Sequence, residues 1–238
     1  MEKRSVHVRY NEFKQPIGEE QNEFKQAHLP NVKVLEGQYC RLEKLAQCHI
    51  QDLFNYFSDE ADAPNWTYLP DEQPHDFQAF ENYIDKKINS TDPYFFAIID
   101  KETSEAVGIL SLLRIDRHNG SIEVGHIHYA NVMKQTRIAT EVQFLLANYV
   151  FQTLGYRRYE WKCDALNEPS IKAAQRLGFK FEGIFRNHKV YKNRNRDTYW
   201  LAMIDKEWQQ NKLKFESWLA AQNFDELGNQ VNRLTILD

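Results

Sequence analysis

Three strand-like runs, an amphipathic helix and a fourth strand follow one another in the middle of this sequence, and their order constrains the fold most. The runs span 94–100, 106–116 and 121–130. Their connections are short and polar, and the second, His118-Asn119-Gly120, is typical of a hairpin turn, so we predict an antiparallel meander. A helix over 136–154, ended by Gly155, and a strand over 156–164 come next. A strand–helix–strand unit of this kind favours parallel, right-handed pairing.

Further elements on both sides of this unit complete the predicted fold. They are a strand over 39–45, helices over 48–60 and after Pro74, a helix over 169–177, strands over 179–186 and 198–204, and a polar helix over 206–222. The order β-α-α-β-β-β-α-β-α-β-β indicates an α+β fold with a mixed, mostly antiparallel central sheet flanked by helices. We divide the chain into an N-terminal arm (1–37), one domain (38–205) and a C-terminal helical tail (206–238). The arm either wraps over the domain or is disordered.

The charge distribution indicates a small anionic ligand. The 238 residues have a net charge of −4, yet residues 131–200 carry 13 Lys and Arg against 6 Asp and Glu. A basic block inside an acidic chain indicates local binding of an anion. Nucleic-acid binding normally needs a broader basic surface, so we expect no nucleic-acid partner.

Composition excludes several classes of protein. The aromatic content of 13% and the few Gly and Pro residues exclude a disordered or collagenous chain. Cys40, Cys48 and Cys163 are scattered and form no C-x-x-C pair, so neither a disulfide framework nor a metal site is expected. No apolar stretch is long enough to span a membrane and no signal peptide is evident, so we expect a cytoplasmic protein.

Two helix starts hold candidate binding residues. The first is the basic turn from Lys134 to Arg137, where free backbone amides and the positive helix end favour phosphate, although an ordinary solvated helix start is the alternative. The second contains Asn167, which suits an N-cap, and Pro169, which suits the first helical turn. A structural cap explains these two residues and explains Ser170 less well, because the Ser170 hydroxyl lies beside the positive helix end.

Both segments carry a resemblance to a known family. The run 134–141 resembles motif A of the GCN5-related N-acetyltransferases, Q/R-x-x-G-x-G/A, with Lys134 at the first position, Arg137 in place of the first glycine and Ala139 at the last position. The second segment is similar to the ribosomal-protein N-terminal acetyltransferase branch. Its matching residues are Asn167, Ser170, Ala173, Ala174, Arg176, Leu177, Gly178, Phe179, Glu182, Gly183 and Arg186. The resemblance covers about residues 38 to 205 and implies the single-domain fold of that family.

The resemblance implies acetyl-CoA as a cosubstrate and assigns residues to it. Ile127, His128 and Tyr129 would line the thioester and the pantetheine. The turn and the first helical residues would hold the pyrophosphate; these are Lys134, Gln135, Thr136, Arg137, Ile138, Ala139 and Thr140. Asn167 would contact the pantetheine arm, and Ser170 would protonate the departing thiolate. No metal ion is implied.

The resemblance also implies direct transfer of an acetyl group to a primary amine, such as a protein N-terminus, in a ternary complex. Glu123 is the expected general base, with His126 or His128 as alternatives because a neutral imidazole accepts a proton. An aromatic loop with Trp66 and Tyr68, and the basic residues between 186 and 197, are expected to flank the acceptor pocket.

Other functions stay open at this point. A small amine, such as a polyamine or an amino sugar, is an alternative acceptor. The altered motif A also permits a non-catalytic acyl-CoA-binding sensor. We expect acetyl-CoA and an amine as partners, no membrane association, and a monomer or homodimer.

Overall fold

The computed structural model of the protein describes residues 8–235. The predictions for residues 1–7 of the arm and 236–238 of the tail lie outside the described residues. The described strands are β1 (Arg9–Tyr10), β2 (Pro16–Ile17), β3 (Val34–Glu36), β4 (Cys40–Lys44), β5 (Tyr94–Asp100), β6 (Ala106–Asp116), β7 (Ser121–Tyr129), β8 (Arg158–Asp164), β9 (Lys180–Tyr191) and β10 (Arg194–Ile204). The α-helices are α1 (Ile50–Phe57), α2 (Phe77–Ile88), α3 (Arg137–Asn148), α4 (Glu168–Arg176) and α5 (Asp205–Leu219).

The predicted α+β fold is confirmed. Eight strands form one sheet in the order β3-β4-β5-β6-β7-β8-β10-β9, and helices flank it. Neighbouring strands are antiparallel except β7 and β8, which are parallel as the strand–helix–strand pattern predicted. Every predicted helix and strand is present, and outside the last hairpin each lies within a few residues of its predicted bounds, because apolar spacing follows the helical and strand periods in these segments.

Apolar helix faces form the core on the sheet. Ile138, Val142 and Leu146 of α3 are buried at spacings of four residues. Helix α3 also packs on α5 through the rings of Phe144 and Trp208, whose centroids lie 6.0 Å apart. Helices α1 and α2 pack together through aromatic edges, and a 3₁₀-helix over Glu60–Trp66 lies between them in the chain.

The last hairpin corrects the predicted strand bounds. Strands were expected over 179–186 and 198–204, with the basic residues between them in a connection. Instead β9 and β10 extend through those residues and are joined at Lys192 and Asn193, which have φ values of +49° and +58°. Two consecutive left-handed residues make a tight hairpin turn without glycine, and Asn tolerates this conformation well.

The described part of the arm packs against the domain. Strand β3 lies within the segment predicted as the arm and pairs with β4 at the edge of the sheet. Further upstream, the Ala27 N–H donates to the Arg117 carbonyl at 3.2 Å, while Arg117 Nε donates to the Ala27 carbonyl at 2.7 Å. The phenol oxygen of Tyr149 accepts hydrogen bonds from the N–H groups of Asn31 and Val32.

A buried carboxylate joins α3 to the start of β4. Glu141 accepts hydrogen bonds from the N–H groups of Gln38, Tyr39 and Cys40, with oxygen–nitrogen distances of 2.6, 2.8 and 2.8 Å. A Cβ atom at Gly37 would lie 2.6 Å from the Glu141 carboxyl carbon, so only glycine permits this approach. Hydrogen bonds to a buried charged acceptor are strong, so this contact fixes the second turn of α3 against the sheet.

Replacing this carboxylate should lower stability. Glu141→Gln keeps the shape but turns one acceptor into an NH₂ group that faces a backbone donor, which should lower the free energy of unfolding by about 2–4 kcal/mol. Urea unfolding followed by circular dichroism measures the change. Glu216→Gln is the control, because Glu216 forms an exposed pair with Lys212; equal stability of the two variants would contradict the prediction.

Candidate active site

Strands β7 and β8 separate half-way along their length. They pair only from Ser121 with Arg158 to Val124 with Trp161, whereas β7 continues to Tyr129 and β8 to Asp164. The edge of β7 that faces β8 therefore has no strand partner over its last five residues in the described sheet. A gap in a sheet at the carboxyl ends of parallel strands is a common place for a ligand.

A bulge in β7 lies beside this gap. Gly125 pairs with Ser111 and His128 with Ile109, so two β7 residues lie opposite one residue of β6. His126 takes the strained left-handed conformation there, with φ of +49°. Bulges turn the following side chains and are frequent next to active sites.

The turn predicted as an anion site lies where β7 leads into α3. Thr136 is the N-cap of α3, but its hydroxyl donates to the Met133 carbonyl at 2.7 Å and does not cap the helix. The first-turn N–H groups of α3, at Arg137, Ile138 and Ala139, therefore have no side-chain acceptor from the N-cap. Uncapped amides at a positive helix end can bind phosphate oxygens.

Three cations surround this turn. Arg137 lies over the Tyr39 ring, 4.1 Å from its centroid. Arg176 donates to Thr140 Oγ1 at 3.0 Å, and burial lowers its pKa. Neither guanidinium has a carboxylate within ion-pair distance among the residues described. Lys134 Nζ contacts the side-chain oxygens of Asn65 and Asn131.

The chemistry of these donors fits the diphosphate of a coenzyme. Backbone amides supply directional donors, and the guanidinium groups supply positive charge without a competing anion.

The start of α4 lies across the gap. Asn167 is the N-cap, as predicted: its Oδ1 accepts from the Ser170 N–H at 3.2 Å. The NH₂ half of this side chain is free of that cap and can donate to a ligand. Ser170 Oγ accepts from Trp161 Nε1 at 2.9 Å, which places the hydroxyl beside β8. Burial raises the pKa of the Cys163 thiol to about 11, with Ser170 opposing this through a hydrogen bond.

Glu123, the predicted base, is buried in an ion-pair network. Its Oε1 lies 2.6 Å from Arg114 Nη1 and its Oε2 lies 2.8 Å from Lys162 Nζ. Lys162 also contacts Glu160 at 2.6 Å and lies over the Trp200 ring. An amine that reaches Glu123 must therefore displace one of two cations.

His126 presents a free ring nitrogen near the gap. Its Nδ1 lies 2.9 Å from Ser111 Oγ, and that hydroxyl donates its proton to the Gly125 carbonyl at 3.2 Å. With the hydroxyl proton on the Gly125 carbonyl, Nδ1 carries the ring proton and Nε2 is an acceptor. Burial, followed by the charge of Lys87, lowers the pKa of His126 to about 4, so the ring is neutral at neutral pH.

His128 has a structural partner. Its Nε2 lies 2.7 Å from Asp62 Oδ2, both side chains are almost fully buried, and the ring stacks on Phe57 with centroids 3.6 Å apart. Burial lowers the pKa of His128, and Asp62 opposes this. Trp66 packs edge-on against the same ring and is only 2% exposed, so it belongs to the core rather than to the acceptor pocket. Its neighbour Tyr68 donates to the Leu166 carbonyl at 3.1 Å.

Residues 40–180 match the family profile described as the acetyltransferase (GNAT) domain. This chain belongs to that family. A crystal structure of a GCN5-related N-acetyltransferase from Brucella melitensis is 45% identical and has a TM-score of 0.88, with 90% of this chain and 97% of that chain covered. A probable GNAT-family acetyltransferase from Chromobacterium violaceum is 33% identical with a TM-score of 0.76, and 82% and 98% of the two chains are covered.

One curated protein is also similar to this chain. It is the uncharacterized N-acetyltransferase p20 of Bacillus licheniformis, which is 34% identical over 113 residues. The match covers 48% of this chain and 63% of that protein, which is less than two thirds of the relative's length.

The geometry of this GNAT domain explains how motif A accommodates Arg137. Arg137 is the first helical residue of α3, so the position does not need the left-handed conformation that glycine allows. The left-handed residue of the turn is instead Gln135, with φ of +61°. Of the other residues that the resemblance assigns to the cofactor, Ile127 to Tyr129 lie on the free edge of β7 and Ile138 to Thr140 lie in α3.

Residue patterns missed the partners that now define the site. Arg114 and Lys162 hold Glu123, and Asp62 holds His128, yet each lies on a different element from its partner. In the part of the chain that the structure describes, no three His, Cys, Asp or Glu side chains come together as a possible metal site. No described helix is long and apolar enough to cross a membrane.

The neutral state of His126 should make stability depend on pH. An unfolded histidine has a pKa of about 6.5, while burial holds the folded pKa at about 4. As the pH falls, the unfolded chain therefore binds the proton first. The contribution of neutral His126 to the free energy of unfolding is complete above about pH 6.5 and is lost as the pH falls towards about 4. Because His126→Gln has no such proton to bind, its free energy of unfolding should fall by about 3 kcal/mol less than that of the unsubstituted protein over this pH range.

Urea unfolding at neutral pH and near pH 4.5 measures this difference. His118→Gln is the control because His118 is exposed on the hairpin between β6 and β7. The same pH dependence in His126→Gln and in the unsubstituted protein would show that His126 is not held neutral.

Proposed function

We propose that the protein transfers an acetyl group from acetyl-CoA to a primary amine, directly in a ternary complex. The observation that carries this proposal is the gap between β7 and β8, which opens beside the uncapped first turn of α3. In this arrangement the amides of α3, with Arg137 and Arg176, bind the diphosphate. The free edge of β7 at Ile127 to Tyr129 then lies along the pantetheine and the thioester, with Asn167 on the other side.

Direct transfer agrees with the state of Cys163. An acetyl-enzyme on Cys163 would need its thiolate, and burial keeps this thiol protonated by raising its pKa to about 11. The amine therefore attacks the thioester itself. Acetyl-CoA supplies the activated acyl group, and this chain supplies binding, orientation and proton transfer.

Two groups can receive the amine's hydrogen. Glu123 is engaged by Arg114 and Lys162, whereas His126 Nε2 is a free acceptor on a neutral ring. We favour His126 as the direct hydrogen-bond acceptor, with Glu123 fixing the cations around it. The positive charges of Lys87 and Arg114, which lower the pKa of His126, also favour the neutral and nucleophilic form of a nearby amine.

The acceptor is proposed in broader terms. A protein N-terminus agrees with the branch that the Asn167 segment resembles, and a small amine such as a polyamine or an amino sugar is the alternative. We propose a cytoplasmic enzyme of one domain over 38–205, as a monomer or homodimer, with arm and tail packed on it.

Coenzyme A should protect the folded protein, and a reversed charge at the turn should abolish the protection. Arg137→Glu is compatible with α3, because an acid in the first turn favours the helix dipole, but it repels a diphosphate. We expect the apparent affinity for coenzyme A, from thermal unfolding, to fall about 10-fold or more. Lys25→Glu, an exposed position on the arm, is the matched control.

Release of free thiol from acetyl-CoA with a panel of amines then tests turnover. Absence of thermal protection by millimolar coenzyme A would remove the proposed cofactor. Protection without turnover of any amine would favour the sensor.

Replacing Ser170 should slow the chemical step without weakening cofactor binding. As the proposed proton donor to the thiolate, it makes a contact that forms only as the bond breaks, so Ser170→Ala should lower kcat about 10²-fold. The variant also leaves Trp161 Nε1 without its acceptor. Trp161→Phe with Ser170→Ala removes that structural defect, and recovery of kcat in the double variant would reduce Ser170 to a packing role.

A further inference from the structure

A group of cations lies on the open face of the sheet next to His126. Lys189 of β9 and Arg196 of β10 are direct cross-strand partners. Thr198 and Trp200 follow Arg196 at two-residue intervals on the same face of β10, and Trp200 is opposite Lys162 of β8. The registers therefore place Lys189, Arg196 and Lys162 on one continuous surface.

This surface has more positive charge than its carboxylates balance. Lys162 pairs with Glu123 and Glu160, as described above. Lys189 and Arg196 have no carboxylate within ion-pair distance in the described chain; Arg196 Nε donates to Thr198 Oγ1 at 3.1 Å instead. Like charges directly opposite each other destabilise a strand pair. Repulsion between Lys189 and Arg196 should therefore destabilise the β9–β10 hairpin, and a bound anion would relieve it.

The same cations act on the proposed acceptor site. The pKa of Lys189 is lowered by burial and then by Arg114, Arg196 and Lys162, while Glu123 opposes them. Lys189 also contributes to the lowered pKa of His126. On the helical side the nearby carboxylate of Asp71 is paired with Lys87 at 3.3 Å.

Resting on the proposed acetyl transfer, we propose that the acceptor is a primary amine that also carries a carboxylate or phosphate, which Lys189 and Arg196 bind. The amine of such a molecule reaches His126 and the gap while its anionic group lies on the β9–β10 surface. A polyamine carries only positive charge and would be repelled here. Residues 189 and 196 thus select the substrate, and they touch neither the diphosphate turn nor the thioester strand.

Matched amines that differ only in the anion test this inference. The pairs are glycine and glycinamide for carboxylate, phosphoethanolamine and ethanolamine for phosphate, and two short peptides with a free N-terminus and Glu or Gln at the second position. Spermidine is the cationic probe. Binding is measured by calorimetry with and without coenzyme A at one ionic strength, and turnover by thiol release.

We expect the anionic member of at least one pair to bind about 10-fold tighter than its neutral partner. The pair that shows the preference identifies the source of the anion. Lys189→Gln with Arg196→Gln should remove the preference and leave coenzyme A binding unchanged. Lys25→Gln with Lys212→Gln removes the same charge elsewhere and should leave the preference intact.

Equal affinity within all three pairs, preference for spermidine, or a preference that survives in the double variant would overturn the inference. Lys189→Gln alone gives the same test with one exposed substitution if the double variant does not fold. Failure of the proposed function looks different, since coenzyme A then gives neither protection nor turnover with any amine.

Discussion

The four residue pairs that join β7 to β8 set the geometry on which the site depends. Antiparallel pairing holds every other neighbour in the main sheet, but this parallel pair ends after Val124 and Trp161. The strands diverge from there, and the bulge at His126 turns the rest of β7. If β7 and β8 paired along their full length, their backbone N–H and C=O groups would bond to each other, and none would be left for a pantetheine arm. The cleft is therefore a consequence of strand pairing rather than of any single side chain.

Charge on this sheet is organised by contact across strands. Arg114 of β6, Glu123 of β7, and Lys162 and Glu160 of β8 form a row of two cations and two carboxylates, in which Arg114 alone is exposed. The row ends at the β9–β10 hairpin, where Lys189 and Arg196 have no such partner. A network that is balanced in its interior and unbalanced at one end is the basis of the anionic acceptor proposed above.

Sequence reasoning reached the fold because long periodic segments leave little ambiguity. The helix that begins after Thr136 and the strands from Tyr94 to Tyr129 lie almost where apolar spacing placed them. The last hairpin differed because its turn at Lys192 and Asn193 lacks the usual glycine. Strand β3, with three residues, was too short to show a period.

The site was predicted only in part, for a physical reason. Local rules correctly predicted Asn167 as a cap, since helix ends are decided by a few adjacent residues; the anion site at the turn before α3 stays a prediction. The ion pairs of Glu123 and the Asp62 partner of His128 depend on register between distant strands and loops. Residue patterns along the chain do not contain that register. They therefore favoured Glu123 as the general base but could not predict that Arg114 and Lys162 contact it.

Aromatic residues that follow the matched family domain contact the arginines at the start of α3. The family profile matches up to residue 180. Beyond it, the ring centroid of Trp218 lies 5.1 Å from the Arg176 guanidinium carbon and that of Phe224 lies 5.7 Å from the Arg137 guanidinium carbon. Arg137, the first residue of α3, and Arg176 thus each contact an aromatic ring from outside the matched region. A chain shortened to the matched residues would keep motif A and the hydrogen bond from Arg176 to Thr140, but it would lack both of these ring contacts. The orientation of both guanidinium groups at the α3 turn therefore depends in part on side chains that lie beyond the profile match.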